Sequence, residues 1–391
     1  MNKPNYSIKP KEKGIYLDYA ATTPVSDEVM ASMEPYFQRE YGNPGSFNTL
    51  GMKARDAVDA ARAKISKILN CKTSELIFTS CGTESINLAI KGFMRANKEK
   101  GNHLITTSIE HQAVLETCRY LEKYEGVKVT YLDVNHEGFI NLRQLEESIK
   151  KETILVSIMY ANNEIGTIQS LSDIGKITKK QGIIFHTDAC QAGLLNLDVN
   201  KLQVDLLSLN GSKIYGPKGV GLLYKKTGIP LHPLIHGGGQ ENNLRSGTEN
   251  VPGIVGFAAA LSMIQENKEK EIERLKNLQE KLIDNILKNI PNSHLNGPIK
   301  NRLPGNASIT FKGLDTEALL IALNDAGIYA SSGSACTSKN INASHVILAI
   351  GSAQEKASGT IRFTLGKYTT KQDIDYVLDV LPGIIKKLRS I

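Results

Sequence analysis

No two of the five cysteines, at positions 71, 81, 118, 190 and 336, stand in a CxxC pair, so the chain carries neither a zinc-ribbon spacing nor a recognisable disulfide framework. A reducing compartment is expected from this usage. Long apolar runs are absent too. The most apolar stretch, VPGIVGFAAALSMI, is too short and too broken by glycine to cross a bilayer, and MNKPNYSIKPKEKG at the start has no apolar segment behind its charges. A cytoplasmic protein without membrane contact is expected. No long block of one charge occurs: 47 basic and 40 acidic residues, spread along the chain, give a net charge of +7. That balance weakly favours acidic or phosphate-bearing ligands and does not imply direct nucleic-acid binding. Internal repeats, low-complexity tracts and long linkers are missing as well.

With 391 residues the chain exceeds the size of a single core, so one large and one smaller domain are expected. Short β-branched runs, ELIFTS, HLITTS, VKVTYL, TILVSIM, GIIFHT, VDLLSL and GVGLLY, alternate with amphipathic stretches over the first two thirds. This rhythm predicts an α/β fold with a mainly parallel seven-stranded sheet between helices. From about Val255 a long charged helix pattern runs to near Ile290. Beyond it, ASITF, GIYASS and TIRFTL interleave with helices, which predicts a smaller C-terminal α/β domain. The expected division is 15–255 for the large domain and 256–391 for the small one, with residues 1–14 packing on the latter.

Polar residues follow five presumed strand ends: Thr83, His111, Asn163, Asp188 and Lys213. In open α/β sheets ligands bind in the crevice outside the carboxyl ends of the strands, so a single crevice holding all five is expected. The turn SCGTES joins a strand to a helix, where Gly82 and Thr83 offer N–H groups, a hydroxyl and the positive helix end to a phosphate. Lys213, among glycines in SLNGSKIYGPKG, suits a Schiff base with an aldehyde cofactor. Asp188 suits a protonated ring nitrogen, and Gln191 a ring oxygen. Arg362, in TIRFTLG, suits a substrate carboxylate held by two parallel hydrogen bonds, assisted by Asn163. Cys336, in SSGSACTSKN, offers a thiol among small residues.

Taken together, LDYAATTPV, GNPGS, the phosphate turn ending in TES, EHQAVL, ANNEIG, TDACQ, GSKIYGPKG, HGGGQE, RSGTEN, SSGSACTS and IRFTLG resemble the cysteine desulfurases, in order from about Tyr16 to Thr370. These are fold-type-I enzymes of the class V aminotransferase group. The resemblance implies pyridoxal 5'-phosphate bound by Lys213, with Asp188 at the pyridinium, Gln191 at the ring hydroxyl and His111 stacked on the ring. It places Gly82 and Thr83 in the phosphate cup, where Asn210 and Ser212 replace the family's usual serine and histidine. Thr248 matches a phosphate contact from the other subunit of a homodimer. Cys336 matches the nucleophile that takes sulfur from L-cysteine, with release of L-alanine, in a loop at 331–343 like that of the long-loop branch. The implied outlet is a sulfur-acceptor protein serving iron–sulfur cluster assembly or tRNA thiolation. His111 is the nearest proton acceptor for the thiol, and no metal is implied. Asn48 stands where histidine commonly follows GNPxS. The remaining alternatives are a selenocysteine lyase or another β-lyase on the same scaffold, and a catalytically weak scaffold for sulfur acceptors.

Overall fold

A computed structural model describes residues 14–333, 344–351 and 358–390. Cys336, most of the 331–343 loop and residues 1–13 lie outside them. All seven runs named above form one sheet: β2 (Leu76–Thr79), β3 (His103–Thr107), β4 (Lys128–Leu132), β5 (Thr153–Ser157), β6 (Ile184–Asp188), β7 (Leu206–Asn210) and β8 (Gly221–Lys225). Their order is β2-β8-β7-β6-β5-β3-β4, parallel throughout except that β8 runs antiparallel to both neighbours. The ends of β2, β3, β5, β6 and β7 therefore emerge on one edge. β2 and β3 are buried along their whole length, as expected for strands covered on both faces.

One sheet face packs on helices Gly82–Ala96 and Gln112–Glu125, with Ile86, Ile90, Phe93, Val114 and Leu121 inside. Opposite, Phe78, Val156, Phe185 and Leu207 meet helices Thr49–Leu69, Leu171–Lys180 and Val251–Glu266. Asn48 is the N-cap of the first of these, its Oδ1 accepting from Gly51 N at 2.9 Å, which gives the departure from histidine a local role.

The expected single helix from 255 to 290 is two. Val251–Glu266 is apolar and lies in the large core, whereas Lys268–Asn289 is amphipathic and serves a second core. The turn between them is at Asn267, where φ −110 and ψ 9 leave the helical region. No glycine or proline forces the break; loyalty to two cores does. The boundary expected at 255 falls inside the first of these helices. The second core gathers Leu282 and Ile286 with Ile309 and Phe311 of β10 (Asn306–Phe311), Ile361 and Phe363 of β12 (Thr360–Thr364), and Val377 and Leu381 of helix Lys371–Arg389. β9 (Ser293–Leu295) pairs with β10 on the side away from β12. Leu17, just after β1 (Ile15–Tyr16), also joins this core, because β1 pairs in parallel with β11 (Ile328–Tyr329). Among the described residues no helix is long and apolar enough to cross a membrane, and none of the His, Cys, Asp and Glu residues cluster as metal ligands.

Candidate active site

Lys213 closes a single 3-10 turn, Gly211–Lys213, directly after β7. Its Nζ donates to Ala21 O. A Cβ on Gly211 would lie 2.7 Å from Pro217 O, so only glycine lets the turn fold this tightly. From the next strand end, Asp188 is 6% exposed and its Oδ1 accepts from Cys190 N at 2.9 Å. Gln191 follows, its Nε2 donating to Ala20 O at 3.0 Å. Lys213, Gln191 and Asn163 line a cavity of about 90 Å³ together with Tyr19, Ala20, Thr23, Asn306 and Thr364. Asp188 and Lys213 both act on the thiol of Cys190, which burial pushes far up; the carboxylate pushes it further and the amine opposes.

Helix Gly82–Ala96 starts beside them. Its N-cap, Cys81, makes no side-chain capping bond, so its first N–H groups are left without that partner. A Cβ at Gly82 would meet Cys190 Sγ at 2.6 Å and Asn210 Cβ at 3.3 Å, which brings the ends of β2, β6 and β7 into contact. The Asn210 side chain accepts from Ser212 N, and Ser212 O accepts from Thr23 N at 2.8 Å and Thr23 Oγ1 at 3.1 Å. His111 caps helix Gln112–Glu125, its Nδ1 accepting from Ala113 N at 3.0 Å. A neutral imidazole so held carries its proton on Nε2.

Arg362, in β12, is 2% exposed. Its Nη2 donates to Asp18 Oδ1 at 2.6 Å and its Nη1 to Asn163 O at 3.1 Å, while Nε has no partner among the described residues. The two-pronged face expected for a substrate carboxylate is thus partly engaged by Asp18. Thr248 is exposed and lines a separate cavity of about 230 Å³ with Tyr36, Tyr41 and Asn43, away from the residues around Lys213.

Several contributors carry no catalytic pattern in sequence. Residues 18–23 form a strap that touches Arg362, Gln191, Ser212 and Lys213. Their signal was LDYAATTPV, quoted above only as part of a resemblance. Glu110, fully buried, is raised to about 8 by loss of solvent, with Asp188 adding to it and hydrogen bonds from Met159 N and Thr107 Oγ1 opposing. His186, between Ser157 and Ser208 hydroxyls, is lowered to about 4 by burial and is neutral at physiological pH.

A profile described as aminotransferase class-V matches residues 15–377. The cysteine desulfurase IscS of Dictyoglomus turgidum is 50% identical over 381 residues, 97% of this chain and 96% of that relative. A solved structure of a NifS-like protein superposes with a TM-score of 0.90 at 39% identity, covering 96% of this chain and all of that one. Another, of SspA in complex with cysteine, gives a TM-score of 0.81 at 38% identity over 91% of this chain and 99% of that one. The chain belongs to the class-V aminotransferase family. Within it, the chain is a pyridoxal-phosphate-dependent cysteine desulfurase. Its own residues fit that cofactor: an amine, a buried carboxylate and an imidazole at neighbouring strand ends, and a helix start without a side-chain cap, suit an aldehyde, a ring nitrogen, a ring face and a phosphate.

Proposed function

We propose that Lys213 holds the cofactor's aldehyde carbon, Asp188 its ring nitrogen, Gln191 its ring oxygen and His111 its ring face, and that Cys336 receives the sulfur. Gly82, Thr83, Asn210 and Ser212 hold the phosphate, completed by Thr248 from a second copy of the chain in a homodimer. Arg362 and Asn163 receive the carboxylate of L-cysteine. The observation that carries this assignment is the meeting of Asp188 and Lys213 around Cys190, beside a cavity whose wall includes Asn163, the residue whose carbonyl is gripped by Arg362.

When bound, the cofactor withdraws electrons from the substrate's α-carbon. Asp188 keeps the ring nitrogen protonated, and the Lys213 amine, once displaced by substrate, takes the α-proton. The Cys336 thiolate attacks the substrate sulfur; an S–S bond forms as the carbon–sulfur bond breaks, leaving a persulfide on the enzyme and a three-carbon product released as L-alanine after protonation. A free thiol is largely protonated at neutral pH, so a base must act first. Neutral His111 reserves Nδ1 for Ala113 N, so accepting the thiol's proton there means giving up its own cap bond. An acceptor protein then removes the outer sulfur.

Lys213→Ala should abolish the visible absorption of the bound cofactor. Cys336→Ala should keep it and yield no added sulfur in a mass spectrum after exposure to L-cysteine. Full alanine release by the second variant would overturn the assignment of the nucleophile, and release of selenium but not sulfur would favour the lyase alternative.

A further inference from the structure

Glu164 directly follows Asn163, whose carbonyl meets Arg362. It is 5% exposed and makes no ion pair among the described residues. Its Oε2 accepts from Ser344 Oγ at 2.5 Å. The same Oε2 would lie 2.7 Å from a Cβ on Gly333. Gly333 and Ser344 flank Cys336, three residues before it and eight after. One buried carboxylate therefore contacts both stems of the segment that carries the thiol.

Each stem is shaped around it. Gly333 sits at φ +89, a backbone only glycine adopts at ease, and the space a side chain would occupy is taken by the carboxylate. Ser344 Oγ has two duties: it caps helix His345–Ala349 by accepting from Val346 N and Ile347 N, and it donates to Glu164. The backbone of Glu164 is itself fixed by two bonds, and the Asn162 that makes one of them is held in turn. Glu164 N donates to Asn162 Oδ1 at 2.9 Å, Glu164 O accepts from Asn306 Nδ2 at 3.0 Å, and Asn162 Nδ2 donates to Ile109 O at 2.8 Å.

Holding the second stem in place does not require a carboxylate. Val346 and Ile347 already pack with Ile109, Met159 and Ile165, and His345 Nε2 bonds with Glu110 O at 3.0 Å. A carboxylate buried with no cationic partner among the described residues is costly, so its presence here calls for something packing does not supply. What it adds is direction, since it ties the two stems to each other and to the loop that meets the substrate-facing arginine.

We propose that Glu164 is a positioning residue for sulfur transfer, which aligns both stems of the Cys336 segment with the Asn163–Arg362 contact. This rests on the assignment of Cys336 as nucleophile. The test uses single-turnover reactions of the cofactor-loaded enzyme with L-cysteine in Glu164→Ala, Ser344→Ala, the double variant and Glu164→Gln. Two quantities are followed: the cofactor's absorption change on adding substrate, and the rate at which sulfur accumulates on the Cys336 peptide. Glu164→Ala and Ser344→Ala should leave the absorption change intact and slow sulfur accumulation about tenfold or more, the scale of loss from a small misplacement of reacting groups. The double variant should lose clearly less than the two single losses multiplied together, because both remove the shared Glu164–Ser344 contact. Glu164→Gln, which keeps an acceptor for Ser344, should recover most of the rate.

Sulfur accumulation in Glu164→Ala within a factor of about two of the parent would overturn the proposal, as that is too small for a misplaced reacting group. Parallel loss of the absorption change would also overturn it, by making Glu164 a support of the whole pocket. Turnover in Cys336→Ala would instead remove the nucleophile assignment beneath it, a result separable from either.

Discussion

Arg362 Nη2 lies 2.6 Å from Asp18 Oδ1, while Nε of the same guanidinium has no partner among the described residues. The proposed contact with the substrate carboxylate would give this guanidinium a further anionic partner. Arg362→Lys keeps the charge and loses the planar fork. It should raise KM for L-cysteine by roughly 10- to 100-fold, the worth of one hydrogen bond to a charged group, with cofactor absorption retained. Steady-state kinetics with an unchanged visible spectrum check this.

Glu110 gives stability a pH dependence of definite sign. Its folded pKa of about 8 stands above the ordinary 4.5, so the folded state holds a proton that the unfolded chain releases. Its contribution is complete below about pH 4.5 and is lost as pH rises through about 8. Glu110→Gln should flatten the decline in thermal midpoint across that window and be more stable than the parent above it. Melting curves at intervals from pH 5 to 9 decide the matter, and parallel curves for the two proteins would refute it.

Cys118 and Cys190 should be silent towards thiol reagents. Burial pushes both thiols up, so little thiolate exists at neutral pH. In native Cys336→Ala at pH 7.5, iodoacetamide followed by peptide mass spectrometry should leave both unmodified; rapid labelling of either would contradict the burial argument.

Glu241 secures the loop that bears Thr248. Its carboxylate, 3% exposed at the side chain, takes Arg62 Nη2 at 2.7 Å and Phe78 N at 3.0 Å. Removing one partner leaves a buried charge uncompensated, so Glu241→Ala should cost about 3 to 5 kcal/mol of stability by denaturant titration. It should also weaken cofactor retention if Thr248 completes the phosphate site of a second copy, read as a faster loss of absorption on dialysis.

Much of the fold was legible because strands of a sheet covered by helices write themselves as short apolar, β-branched runs; ELIFTS through GVGLLY supplied all seven, the antiparallel β8 and the partly exposed β4 included. The break at Asn267 was not legible. Helical periodicity continues through it, and only the allegiance of Ile264 to one core and Leu282 to another separates the helices. That Lys213, Asp188 and Gln191 lie near one another was readable from their place after strands. Glu164 was hidden, because a glutamate within ANNEIG looks like any loop acid until Ser344, 180 positions away, is seen to bond with it. Asp18 and Ala20 were hidden likewise, since contacts made by backbone carbonyls and distant sheets leave no periodic trace.

The strap at 18–23 bonds with Ser212 and Lys213 in mid-chain and with Arg362 and Thr364 near the end. A chain emerging from the ribosome thus carries Asp18 through a further 344 residues of synthesis before Arg362 arrives. If the proposed pocket is what holds the vitamin-derived group, fragments cut short before β12 should be colourless.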